Sequence, residues 1–277
     1  MKYFIKSTLL FFLFTTIVYI ILLYVSGEYL PQVFKTNLNY RVGSYGHTSS
    51  RISELKTTKD VDVLFLGSSH AYRGFDTRYF TKHGIKSFNL GSSAQTPIQT
   101  RLLLNRYLDR LNPRLVIYEV YPITFSLDGV ESAVDIIAND RNDFHSLQMA
   151  LNINHIKVYN TLLYGWMREL LNRNAGFIED PRKDYDTYIP GGFVERDMGY
   201  YQHAQYPKTK WDLNASQFEC FEEIVSMLKQ RNIKLVLVNA PIPPLIYNSY
   251  TNNHIFDSMI SRYGEYHNFN ETMTLDD

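Results

Sequence analysis

Apolar residues are laid along this chain as one long unbroken run followed by short runs alternating with segments of helical period. Between Lys6 and Glu28 there is no charge, and residues 9–14 and 17–25 are apolar nearly throughout. At a rise of about 1.5 Å per residue, about twenty such residues match a hydrocarbon core of roughly 30 Å. Downstream, apolar runs at residues 61–66, 86–90, 114–121 and 233–240, with a weaker one at 266–270, read as strands bounded by turn residues. Between them the period changes. Asp76 can cap a helix through His83 that stops at Gly84, and Thr96-Pro97-Ile98-Gln99 has the pattern of a capping box with proline at the first helical position. Ile98, Leu102, Tyr107, Leu108 and Leu111 then share one helical face, as do Phe221, Ile224, Val225 and Leu228 farther on. A last helix is expected around residues 254–263. Strand alternating with helix implies a parallel sheet with right-handed crossovers.

That rhythm fails twice. Residues 28–60 carry Pro31, Gly43, Ser44, Gly46, Ser49 and Ser50 and read as a stem. Residues 124–211 are rich in Asp, Asn, Tyr and Gly, with a turn at Ile189-Pro190-Gly191-Gly192-Phe193 and a helical candidate at 155–171 that contains Trp166. A stretch of that length should be an insertion with structure of its own, expected as a helical lid beside the site. The expected division is therefore residues 1–27 as a cytoplasmic tip and transmembrane anchor, 28–60 as a stem, and 61–277 as one α/β domain with its insertion.

Charge orients the first run and removes some function classes. Lys2 and Lys6 precede it, so the amino terminus is expected in the cytoplasm and the rest outside a bacterial inner membrane. The alternative, a cleaved signal peptide, finds only a poor site at Ser26-Gly27. With 28 basic and 28 acidic residues the net charge is zero, which removes the electrostatic case for nucleic acid. One cysteine, Cys220, permits neither an intramolecular disulfide nor a cysteine-based metal site, and no histidine or acid cluster has ligand spacing, so no metal or cofactor is expected.

The chemistry concentrates at Leu66-Gly67-Ser68-Ser69-His70, where an apolar strand breaks at a glycine and presents serine at its carboxyl end. A second tip, Asn89-Leu90-Gly91, would lie beside it. Together these blocks resemble the SGNH (GDSL-like) hydrolase superfamily, with Gly67-Ser68-Ser69 in place of Gly-Asp-Ser and Asn89-Leu90-Gly91 as Asn-x-Gly. The likeness is greatest to its membrane-anchored branch, which includes the D-alanyl-lipoteichoic acid transfer and alginate O-acetylation proteins. The resemblance implies a flavodoxin-like three-layer α/β/α fold, Ser69 as nucleophile and the N–H groups of Ser69 and Gly91 as oxyanion donors; Ser68, His70 and Asn89 stand beside them as candidate supports. It also implies partners: a cell-envelope glycan and a membrane-bound O-acyltransferase.

Two departures from the family pattern stand out. The third block reads Glu119-Val120-Tyr121-Pro122, where Glu119 is expected to be a polar strand end. No Asp-x-x-His follows His267; Asp276 and Asp277 look like the approach to that block, so the domain is expected to be truncated or inactive. His70 adjoins Ser69, and because neighbours at a strand end tend to point in different directions it is not the expected base; His145, His155 and His203 lie in the insertion; His47, His83, His254 and His267 are expected at the surface or half buried. Three readings follow: an esterase or O-acyltransferase with an acyl-Ser69 intermediate, a non-catalytic homologue that binds glycan or an acyltransferase partner, and a doubly wound domain that binds an anion through backbone N–H groups.

Overall fold

The computed structural model describes residues 1–43, 46–197, 199, 205–273 and 275. Two helices, α1 (Lys2–Tyr29) and α2 (Thr48–Leu55), precede β1 (Val63–Leu66); α3 (Ser69–Gly74) and α4 (Thr77–Lys82) lead to β2 (Ser87–Asn89), and α5 (Pro97–Leu111) to β3 (Leu115–Glu119). The insertion supplies α6 (Val130–Asn139), α7 (Phe144–Ile153) and α8 (Ile156–Leu170), then the short strands β4 (Arg182–Lys183), β5 (Asp186–Ile189) and β6 (Phe193–Arg196). After α9 (Ala215–Gln230) come β7 (Lys234–Asn239), α10 (Pro244–Tyr247), α11 (Asn253–Ile260) and β8 (Glu265–Asn268).

All four residues of β1 are buried, as a strand covered on both faces must be. It pairs in parallel with β2 and β3, β3 with β7 and β7 with β8, giving the flavodoxin-like order β2-β1-β3-β7-β8. Alternation along each strand builds the two outer layers. Leu64, Leu66, Val116, Tyr118 and Leu237 join Leu104 and Leu108 of α5 and Phe221 and Ile224 of α9 in one core. Phe65 faces the other way, its ring stacked on Phe75 at 4.6 Å and edge-on to Phe80 at 4.9 Å. Each such side chain removed from water contributes about 1.5–3 kcal/mol. The expected three-layer α/β/α architecture is therefore present.

Local rules place the helix ends. Asp76 accepts from the Arg78 N–H at the start of α4, the Gln99 side chain accepts from the Thr96 N–H at the start of α5, and Asn214 caps α9 through the Ser216 N–H. Two regions differ from the sequence reading. Within the expected stem, α2 buries Arg51, Ile52 and Leu55, so this stretch is packed into the domain and is not a spacer. In the insertion α6 reaches the cleft described below only through Glu131 in its first turn, and the three-stranded antiparallel sheet borders it. The β5–β6 hairpin turns at Gly191 and Gly192, both at positive φ, and pairs Ile189 with Phe193.

One helix among the described residues, α1, is long and apolar enough to cross a membrane, with a mean hydropathy of 2.5 over eighteen residues and none of that window buried. Its carboxyl half lies along α8. The Tyr19 hydroxyl donates to Asn160 Oδ1 at 2.6 Å, the Tyr24 and Tyr164 rings lie 5.9 Å apart, and Glu28 pairs with Arg168 at 2.7 Å.

Candidate active site

β1 ends at Gly67, whose φ of +133° favours glycine and where a Cβ would fall 2.7 Å from Glu119 Oε2 and 2.8 Å from the Glu119 carbonyl oxygen. The chain turns there and begins α3. Ser68 is the cap: its Oγ accepts from the His70 N–H, while its own N–H and hydroxyl both donate to Glu119 Oε2, at 2.9 and 2.8 Å. Ser69 is left at the first helical position with neither N–H nor Oγ engaged by a described residue. A nucleophile needs that freedom.

Glu119 is fully buried at the end of β3, so its role exceeds that of a polar strand end. One carboxylate oxygen holds the Ser68 turn. The other, Oε1, has no hydrogen-bond partner and faces His70 Nδ1, also without one, across 3.6 Å. A buried carboxylate is tolerated where donors surround it, and an orphaned pair aimed at one another needs only a small shift to close. The His70 ring lies 4.5 Å from Tyr121, whose phenol burial pushes up to about 12, keeping it protonated at neutral pH.

The second tip lies directly beneath the first. A Cβ on Gly91 would sit 3.0 Å from both the Gly67 and Ser68 carbonyl oxygens, so only glycine allows the two loops to approach this closely. Ser69 and Gly91 thus share the carboxyl edge of the parallel sheet. The expected use of the Gly91 N–H as an oxyanion donor needs correction, because it donates to Asn89 Oδ1 at 3.1 Å. Asn89 in turn donates to the Ala71 carbonyl at 2.7 Å, stapling the end of β2 to α3.

Ser68 and Ser69 open onto a cleft of about 600 Å³. Tyr72, Arg73, Ser93 and Tyr121 line it from the sheet edge, and Lys183, Asp186 and Arg196 from the small antiparallel sheet. Arg73 bridges the two walls through Asp186 at 2.7 Å. His47 also lines the cleft, fully buried where a surface or half-buried residue was expected. Burial pushes its imidazole below the usual range even though Glu179 Oε2 lies 4.0 Å away. Of the other described histidines none lines this cleft: His155 caps α8, His145 opens α7, and His83, His254 and His267 are exposed; His203, like Asp276 and Asp277, lies outside the described residues. Among the described residues no group of three His, Cys, Asp or Glu side chains could hold a metal.

No family model matches the chain, and no curated protein matches it. Among solved structures it is similar to a GDSL-like lipase from Bacteroides thetaiotaomicron, with 12% identity over 84% of this chain and 83% of that one and a TM-score of 0.41. It is also similar to a candidate acylhydrolase from Bacteroides fragilis, with 11% identity over 84% of this chain and 82% of that one and a TM-score of 0.38.

Proposed function

We propose that this chain is a membrane-anchored serine esterase or O-acyltransferase of the SGNH type, acting outside the cytoplasmic membrane on O-linked acyl groups of a cell-envelope glycan. The observation that carries the reading is the unengaged Ser69 at the tip of a buried strand, beside the half-buried His70 that faces the buried Glu119, and open to a cleft walled by charged and hydroxyl-bearing side chains. Such a cleft suits a polyhydroxylated substrate better than an apolar one. In this reading His70 takes the Ser69 proton as Oγ attacks the ester carbonyl, and Glu119 steadies the resulting imidazolium. The Ser69 N–H, with no competing partner, faces the developing oxyanion. The ester C–O bond breaks, the alcohol leaves with the proton, and water or an acceptor hydroxyl then attacks the acyl-serine. The α1 helix keeps the domain at the membrane surface.

The test is labelling of the full chain, in detergent, with a fluorophosphonate, beside turnover of p-nitrophenyl acetate. Label confined to Ser69, with both label and turnover absent from Ser69→Ala, is the expected result. An unlabelled wild-type chain would leave the cleft as a binding site and overturn the catalytic reading.

A further inference from the structure

Tyr19, Tyr24 and Glu28 of α1 meet Asn160, Tyr164 and Arg168 of α8 in step, so the two helices lie side by side and run in the same direction. A level on one therefore converts to a level on the other. Ile156, where α8 starts, is four residues below Asn160, or about 6 Å, and stands level with about residue 15 of α1. That is the middle of the uncharged run. If Lys6 marks the inner boundary, a hydrocarbon core of roughly 30 Å ends near residue 26, and if Lys2 marks it, near residue 22. Either way the turn joining α7 to α8 lies about 10 Å or more below the outer boundary, measured along α1.

We infer that the α7–α8 turn enters the outer leaflet of the bilayer that holds α1; the inference rests on reading α1 as a spanning anchor. The side chains fit a lipid surface. Leu151 is 57% exposed and Ile156 49%, on either side of the turn, with no protein to cover them. Lys157 and His155 adjoin Ile156 in the chain, and a lysine's four-carbon stem lets its charge reach outward to the phosphate headgroups. Asn160, at the lipid-facing end of α8, is already satisfied by the Tyr19 hydroxyl and the Asn37 carbonyl, as a polar group at that depth must be. A tilt of α1 adjusts the depth of the turn.

The experiment places bimane on Ile156→Cys, on Phe14→Cys within α1 and on Tyr79→Cys of α4 as a solvent control. The full-length variants are reconstituted in vesicles of phosphatidylcholine and phosphatidylglycerol carrying a nitroxide on the acyl chain. The unsubstituted chain measures background from the buried Cys220, and Leu151→Cys supplies a second reading if Ile156→Cys does not fold. The inference expects loss of about half the emission or more at both 156 and 14, and little at 79. Quenching at 14 with positions 151 and 156 matching 79 overturns the insertion and leaves the anchor standing. No quenching at 14 overturns the anchor itself.

Discussion

Glu119 decides how the residues around Ser69 are read, because one buried carboxylate both holds the Ser68 turn and faces His70. If His70 is the proton acceptor, His70→Asn should lower kcat by about 10³-fold or more. Glu119→Gln, which keeps an acceptor for the Ser68 N–H, should cost about 10²-fold or more with little change in KM. His47→Asn should stay within a few-fold of the wild type. Steady-state hydrolysis of p-nitrophenyl acetate checks all three, and loss of activity confined to His47→Asn would move the role to the His47–Glu179 pair. Ser69, Asn89 and Gly91 were legible as candidates because each block is contiguous in the chain. Glu119 was not, since its partners lie 49 and 51 residues earlier. The signal was present nonetheless: a charge closing an apolar strand, in a register that sets Tyr118 opposite Leu66 and so brings Glu119 against Gly67.

Elements with strong end signals were legible within a residue or two: the capped helices α4, α5 and α9, and the apolar strands β1, β3 and β7. The misses have a common cause. The strands β4 to β6 are two to four residues long, too short for a period of two to show, and α2 carries only two apolar residues on its buried face. Both are held by tertiary contacts instead. The Arg51 Nε donates to the Gly192 carbonyl at 3.1 Å, and Glu54 accepts from the Gly191 N–H and the Tyr188 hydroxyl. A pH-dependent contribution also belongs to this scale. Asp143 caps α7 through the N–H groups of His145 and Ser146 and pairs with the buried Arg106 of α5. Burial works to raise its carboxyl, but the hydrogen bond and charge of Arg106 prevail and hold it below the usual range. A carboxylate depressed in the folded state stabilises above its unfolded pKa of about 4, and that contribution is lost as pH falls through the lower folded value. Asp143→Asn keeps a competent cap and removes the charge. It should cost about 1 kcal/mol at neutral pH, with the gap to the wild type closing below about pH 4. Urea unfolding as a function of pH measures it, and a gap that does not change with pH would show that the pair contributes no charge-dependent stability.

For the whole molecule, the apolar α1 behind Lys2 and Lys6 makes a topological statement that can be checked in cells. Protease added to intact spheroplasts should remove the folded domain, whereas protection until lysis would place it in the cytoplasm. A chain held at a membrane is crowded against its own copies, and β2, at the end of the main sheet, would offer them a strand to pair with. The Gly191-Gly192 turn closes that opportunity. Its carbonyl takes the outward Asn89 N–H at 2.7 Å, and a Cβ on Gly192 would fall 2.2 Å from the Asn89 oxygen, so no other residue could lie so close. The same hairpin that walls the cleft thus denies neighbouring copies the β2 edge as a template for strand addition, and a bulkier residue at position 192, by pushing the hairpin away, would open that edge to aggregation.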